Sequence, residues 1–382
     1  MPISADPAQE KTLRSLPARL GLDAVVAISP ENFAGVAGVK IDTMVLIRPR
    51  QAFAILPAQG EPELMVCAIE RTWTCSQSWI ETIHTYREFV NHPMDMLAGR
   101  LEALGIAEGK IGIDADYLPL ASYQHLMRRL PKLRLVDTTG DLAAIRAIKT
   151  PAQIDILEKA AMGTHRAALD AMQASRIGDT ELQMIGRIGD GIVRNGAERP
   201  FFLYLLSGDR TTVSHGLPSD RKLRESEIVR FDVGGIYGAF CSDFARTYSS
   251  GNPTALQRRT YAALREIEEM AIAAVKPGVP AEAIYNLCRD EYPKRGLTFR
   301  MGLVGHSLGV ELHEKPVMRP GETIALAPGM VLNVEVSVTD EDNTYYHLED
   351  LVVVTETGNR LLTLGLPPKE IPFVGDVVTT DR

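Results

Sequence analysis

Two-residue alternation of apolar and polar positions dominates the second half of the chain. Around Arg230–Arg246, RFDVGGIYGAFCSDFAR, Val229, Phe231 and Val233 fall on one side of an extended chain and Arg230 and Asp232 on the other. The glycines inside this stretch predict a turn joining two short strands, each delivering one aspartate, Asp232 and Asp243. Gly329–Val338 alternates in the same way, with Leu332, Val334, Val336 and Val338 on one face and Val331, Asn333, Glu335 and Ser337 on the other, so Glu335 points away from the apolar layer. In Tyr345–Val354 the side chains of Tyr345, His347, Glu349 and Leu351 share a face.

Helical spacing governs the segments between these strands. Lys149-Thr150-Pro151-Ala152-Gln153 is a strong helix start, with Thr150 at the N-cap, Pro151 at the first helical position and Gln153 completing a capping box. Ile154, Leu157 and Ala161 continue it, and His165 on this helix reads as a packing residue. Thr254–Val275 predicts a long helix and Ala281–Tyr292 a second. The order helix, helix, hairpin, helix, helix, strands suggests a duplicated plan without supporting sequence identity.

Before residue 149 the pattern is that of a separate α/β unit. A polar helix at Gln9–Leu20 precedes a strand at Asp23–Ile28. Thr43–Ile47 and Ala52–Leu56 read as a hairpin around Arg48-Pro49-Arg50-Gln51, Lys110–Asp114 as a strand and Tyr117–Leu130 as a helix. The expected domains are therefore 1–148 and 149–382. His84, His92 and His125 are scattered through the first and carry no chemistry on sequence grounds.

Composition narrows the class. With 45% hydrophobic and 24% charged residues the chain has a real core, and its net charge of −8 argues against a nucleic-acid partner. Cys67, Cys75, Cys241 and Cys288 show no metal-finger or CxxC spacing, as expected of free thiols in a cytoplasmic protein. Neither the N-terminus, MPISADPAQEKTL, nor any other segment has the apolar run of a membrane span. The glycines Gly189, Gly191 and Gly196 sit in a helical context, which excludes a dinucleotide-binding loop.

The remaining polar residues cluster. His215, His306, His313 and His347 fall beside the alternating strands, with His306 and His313 seven apart around Gly309. A strand carboxylate can equally be neutralised by an arginine, and Arg230 or Arg246 lies near enough along the chain to serve. Taken as a set, Asp232, Asp243, His306, Glu335 and Glu349 are oxygen and nitrogen donors without a thiolate. That set suits two hard or borderline divalent ions in a catalytic site better than structural zinc.

In type, order and spacing these five residues resemble the ligands of the pita-bread metallopeptidases, and the two-domain length resembles their aminopeptidase P, prolidase and creatinase branch. The resemblance implies an α+β protein, a smaller creatinase-type α/β domain followed by a pita-bread catalytic domain. It implies two divalent ions, manganese first and cobalt, iron or zinc as alternatives, that activate water for attack on the peptide bond next to proline in a short peptide. Catalytic roles follow for Glu335 as proton carrier, His313 at the scissile carbonyl and His215 on the substrate's C-terminal side, as does a homodimer. Four positions depart from the pattern: Val336 replaces the proline after the fourth ligand, Ala245 a threonine, Gly302 a histidine, and His347 an arginine two before the last glutamate. His347 is thereby expected to bind substrate with a titratable imidazole instead of a permanent bidentate cation. These departures keep open a metal-dependent hydrolase or lyase of a small non-peptide molecule. A scaffold protein on the same fold is disfavoured, because all five ligands are retained.

Overall fold

The structure, a computed structural model, describes residues 6–47 and 49–376. The chain divides into two compact units, Met1–Arg146 and Ala147–Arg382. Among the described residues no helix is long and apolar enough to cross a membrane.

The first unit is built on one six-stranded sheet. Its strands are β1 (Ala24–Ala27), β2 (Phe53–Pro57), β3 (Glu63–Cys67), β4 (Thr82–Tyr86), β5 (Lys110–Ile113) and β6 (Arg134–Asp137), in the order β4-β3-β2-β1-β5-β6. Both faces are covered, so the central strands are apolar throughout. Val25 and Ala27 pack on the side of Leu13, Leu16 and Phe33, while Ala24 and Val26 pack on the side of Leu97, Leu101 and Leu126. The expected hairpin at Thr43–Ile47 is not formed. Thr43–Leu46 is a short helix, with Ile47 N donating to Thr43 O at 2.9 Å, and Val45 and Leu46 are 65% and 78% exposed. The reason lies in the sheet: β2 pairs with β1 on one edge and β3 on the other, so no edge is open to a preceding strand. Arg48, placed in that hairpin's turn, lies outside the described residues.

The second unit opens with helices Pro151–Ala174 and Glu181–Arg194, followed by β7 (Arg199–Ser207), β8 (Ile228–Tyr237), β9 (Phe240–Cys241) and β10 (Phe244–Ser249). Helices Ala255–Ala274 and Ala281–Glu291 then lead into β11 (Gly305–Ser307), β12 (Glu314–Val317), β13 (Val331–Thr339), β14 (Tyr345–Val354) and β15 (Asn359–Leu361). The strands make two sheets, β10-β8-β7 and β12-β11-β13-β14-β15. Capping boxes start three of the four helices, at Thr150/Gln153, Thr180/Gln183 and Thr254/Gln257. Gly191 belongs to a helix–helix contact and not to a phosphate loop: a Cβ there would sit 2.9 Å from Ala167 Cβ.

The two helix pairs are closed alike. Gly178 N donates to Leu223 O and Glu181 N to Arg221 O; in the second pair Gly278 N donates to Leu326 O and Ala281 N to Ile324 O. The unit therefore repeats a supersecondary plan although its two halves differ in sequence.

Candidate metal centre and cleft

The hairpin β8–β10 sets the aspartates. Its register runs unbroken through Ile236↔Cys241 and Val233↔Phe244, which places Asp243 opposite Gly234. Opposed residues share a face, as do residues two apart on a strand, so Asp232 and Asp243 are diagonal neighbours on one side. Gly238 and Ala239, with φ of 54° and 71°, make the two-residue turn. Gly234 is required by close approach: a Cβ there would lie 2.2 Å from Ser242 O.

The second sheet supplies the other three donors. Glu335 pairs with Glu349 across β13 and β14, and His306 on β11 pairs with Asn333, two positions from Glu335. Asp243, His306 and Glu349 each bring a donor atom within 4.8 Å of the others, and so do Glu335, His347 and Glu349. Asp232 stands alongside, its Oδ2 4.0 Å from His347 Nδ1.

Arginines do not neutralise these carboxylates. Arg246 donates from one nitrogen to both carboxylate oxygens of Asp350, at 2.7 and 2.8 Å, and Arg230 bonds to backbone carbonyls. His306 Nδ1 lies 3.0 Å from its neighbour's carbonyl, Ser307 O, which holds the ring proton there and turns the Nε2 lone pair toward Asp243 Oδ2 at 3.6 Å. That nitrogen and Glu349 Oε2 are buried without hydrogen-bond partners. An orphaned buried polar atom costs about 1–3 kcal/mol, and a shared cation removes the cost for both. The donor set fits divalent metal.

Without a cation the charges conflict. Burial first, and neighbouring carboxylates second, hold Asp243 and Glu349 well above the usual carboxylate range, and burial also raises Asp232. For Glu335 burial pushes upward but is outweighed by His347, whose Nε2 lies 3.2 Å from Oε2, leaving that carboxyl below its ordinary value. Burial drives His306 down to about 4, keeping it a neutral donor.

A cleft of about 900 Å³ opens onto four of the donors and is lined also by Tyr204, His215, Arg230, His313, Tyr345 and His347. His313 lies flat on His306, ring centroids 3.8 Å apart, with its own ring reaching the cleft. His215 is exposed and lines the cleft, 5.2 Å from the Tyr204 ring. His347 is buried, its two nitrogens turned toward Glu335 and Asp232. Gly302 also lines the cleft, with open space where a side chain would be.

Several contributors are not visible in sequence. Asn333 Nδ2 donates to Glu349 Oε1, and Arg246 donates to the Glu349 carbonyl at 2.6 Å, fixing that strand from behind. Lys149, buried, reaches Ser307 Oγ at 2.9 Å and Glu314 Oε2 at 3.0 Å, bracing both ends of the loop that carries His306 and His313. Asn333's alternation onto the Glu335 face was the one available signal. The four cysteines are free, and His165 accepts from Leu364 N at 3.2 Å within the core.

Known proteins carry the same architecture. Residues 155–356 match metallopeptidase family M24 and residues 10–148 the creatinase/prolidase N-terminal domain. The probable dipeptidase PepE of Mycobacterium tuberculosis is 33% identical over 308 residues, 80% of this chain and 81% of that protein. The Xaa-Pro dipeptidase of Pyrococcus furiosus is 31% identical over 232 residues, 60% of this chain and 66% of that one. The crystal structure of dipeptidase PepE from Mycobacterium ulcerans matches with a TM-score of 0.83 at 27% identity, covering 96% of this chain and 97% of that one. Fold and donors together define a metallopeptidase-type hydrolase with a creatinase-type N-terminal unit and a pita-bread catalytic unit. The chain belongs to metallopeptidase family M24.

Proposed function

We propose that this chain is a dinuclear-metal dipeptidase that hydrolyses the peptide bond next to proline in short peptides. The observation that carries the reading is the gathering of five donors at one cleft, three of them fully buried, with His306 Nε2 and Glu349 Oε2 making no hydrogen bond. The names of the similar proteins support the substrate class.

Asp232, Asp243, His306, Glu335 and Glu349 would hold the ions, manganese first among the candidates. Bound there, divalent metal supplies a water acidic enough to react near neutral pH and polarises the amide carbonyl. Glu335 accepts the proton of the attacking water and delivers it to the leaving nitrogen. Its hydrogen bond to His347 keeps the carboxylate ionised and aimed. His313, presented to the cleft on top of His306, donates to the oxygen on which negative charge develops. His215, in the same cleft, contacts the substrate's C-terminal side.

The test is metal content together with turnover. Purified protein should carry about two ions per chain and hydrolyse Ala-Pro, and Asp243→Ala should abolish both. Full metal loading without cleavage of any Xaa-Pro peptide would overturn the peptidase reading. It would favour a small non-peptide substrate, the alternative raised by His347, Gly302, Ala245 and Val336.

A further inference from the structure

The second unit buries four cations: Lys149, Arg230, Arg246 and Arg265. Three of them have a carboxylate partner, in Glu314, Asp350 and Glu269. Arg230 has none among the described residues, although it is only 1% exposed. Its Nε donates to Thr211 O at 3.1 Å, and one terminal nitrogen donates to Val213 O and Ser214 O at 2.6 Å each. The other terminal nitrogen makes no hydrogen bond among the described residues. The guanidinium lies 5.2 Å from the Tyr345 ring and lines the cleft. A buried guanidinium normally meets an anion with its fork; among the described residues no carboxylate pairs with this one, and Asp232, two positions on, acts on it only through space.

We propose that Arg230 is the anion-binding residue of the cleft, pairing with the free C-terminal carboxylate of a dipeptide substrate. The proposal rests on the peptidase reading above and deepens it by naming the feature of the substrate that is recognised.

Placement supports it. Arg230 precedes Asp232 by two positions on β8, so it lies on the same face about 6.8 Å farther along. One residue's span of about 3.8 Å followed by one charge-assisted hydrogen bond of about 2.8 Å covers that distance. A carboxylate one residue beyond the scissile carbonyl is therefore within reach of the unused nitrogen, whereas a longer peptide would carry its charge past it. The three bonds to carbonyls hold the fork rigid, and the same bonds fix the loop that ends at His215. Where His347 offers an imidazole already drawn toward two carboxylates, Arg230 offers a permanent charge with donors to spare.

The experiment compares Ala-Pro with Ala-prolinamide, which lacks the anion. For manganese-loaded wild type, kcat/KM should favour Ala-Pro by about 10- to 100-fold, most of it in KM. Arg230→Gln should lower kcat/KM for Ala-Pro about 10- to 100-fold more than that for Ala-prolinamide, so that the two substrates converge, and Arg230→Lys should restore part of the preference. Equal loss on both substrates would show that Arg230 only supports the 211–214 loop and would overturn the proposal, as would a wild type indifferent to the charge. Calorimetric binding of both compounds to metal-free wild type gives a readout independent of turnover. If no peptide is cleaved, the peptidase reading fails, and a calorimetric preference for Ala-Pro, lost in Arg230→Gln, still supports the anion site. Should Arg230→Gln not fold, the wild-type comparison and Arg230→Lys decide the matter.

Discussion

Glu335 stands directly across from Glu349 on adjacent strands, on the face that also holds His306 and meets Asp243 of the other sheet. Two like charges opposed in a sheet destabilise it unless a proton or a cation intervenes.

The first expected outcome is therefore a pH dependence that metal reverses. Asp243 and Glu349 sit well above the carboxylate range, by burial first. Their raised folded values mean that the metal-free fold retains protons that the unfolded chain has released. Its stability is greatest below the ordinary carboxylate range and falls as pH rises through the raised values. Relative to Glu349→Gln, chelated wild type should lose stability to denaturant between pH 5 and pH 8. Manganese at a thousandfold its Kd should add about 4 kcal/mol, chiefly at the higher pH. Chelated wild type that gains stability over Glu349→Gln toward pH 8 would contradict the cation-site reading.

The stacked histidines should separate by assay. His306→Ala removes a donor and should lower metal content. His313→Ala should retain metal while kcat falls about 10²- to 10³-fold, the usual cost of one oxyanion donor. Elemental analysis beside steady-state kinetics distinguishes the two, and equal metal loss in both variants would remove His313 from its assigned role.

The Lys149–Glu314 pair should behave as a buried ion pair whose partners are costly to separate. Lys149→Met takes the ammonium away from the buried carboxylate of Glu314 and should cost about 3–5 kcal/mol of stability. Lys149→Met combined with Glu314→Leu should recover most of that stability but not the turnover, because the bracing of the His306–His313 loop is lost. Denaturant melts and kcat measured on the single and double variants check this.

His165 predicts an acid limb of opposite sign. Burial first, then Arg246 and Arg166, holds its pKa well below 6.5. Its contribution to stability is present above the unfolded value and lost as pH falls, because the unfolded chain takes up a proton that the folded one refuses. Relative to His165→Gln, metal-loaded wild type should lose about 1.4 kcal/mol for each pH unit below about 6.5. Parallel stability curves between pH 7 and pH 5 would refute the assignment.

Legibility in the sequence followed range. Val331–Thr339 alternates throughout and Tyr345–Val354 as far as Glu349, before Asp350 and the run Leu351–Val354 break the pattern; one face of each strand packs on helices and the other lines the site, so Glu335, His347 and Glu349 could be placed by counting. The capping box at Thr150 is local chemistry and was readable for the same reason. Thr43–Ile47 misled because a β-branched apolar pentapeptide reads as a strand, whereas the pairing of β2 on both edges, decided elsewhere, left it none to join. Lys149 is 158 positions from the serine it touches, and the missing counter-ion of Arg230 is a property of the packed structure. No spacing rule carries either.

The repeated plan of the second unit divides the donors unequally: Asp232 and Asp243 come from the first helix-pair-and-hairpin half, and His306, Glu335 and Glu349 from the second. Neither half holds a complete set, so a cation would act as a keystone between them. Ions held there would fasten the arch, and withdrawing metal would loosen the protein as well as silence it.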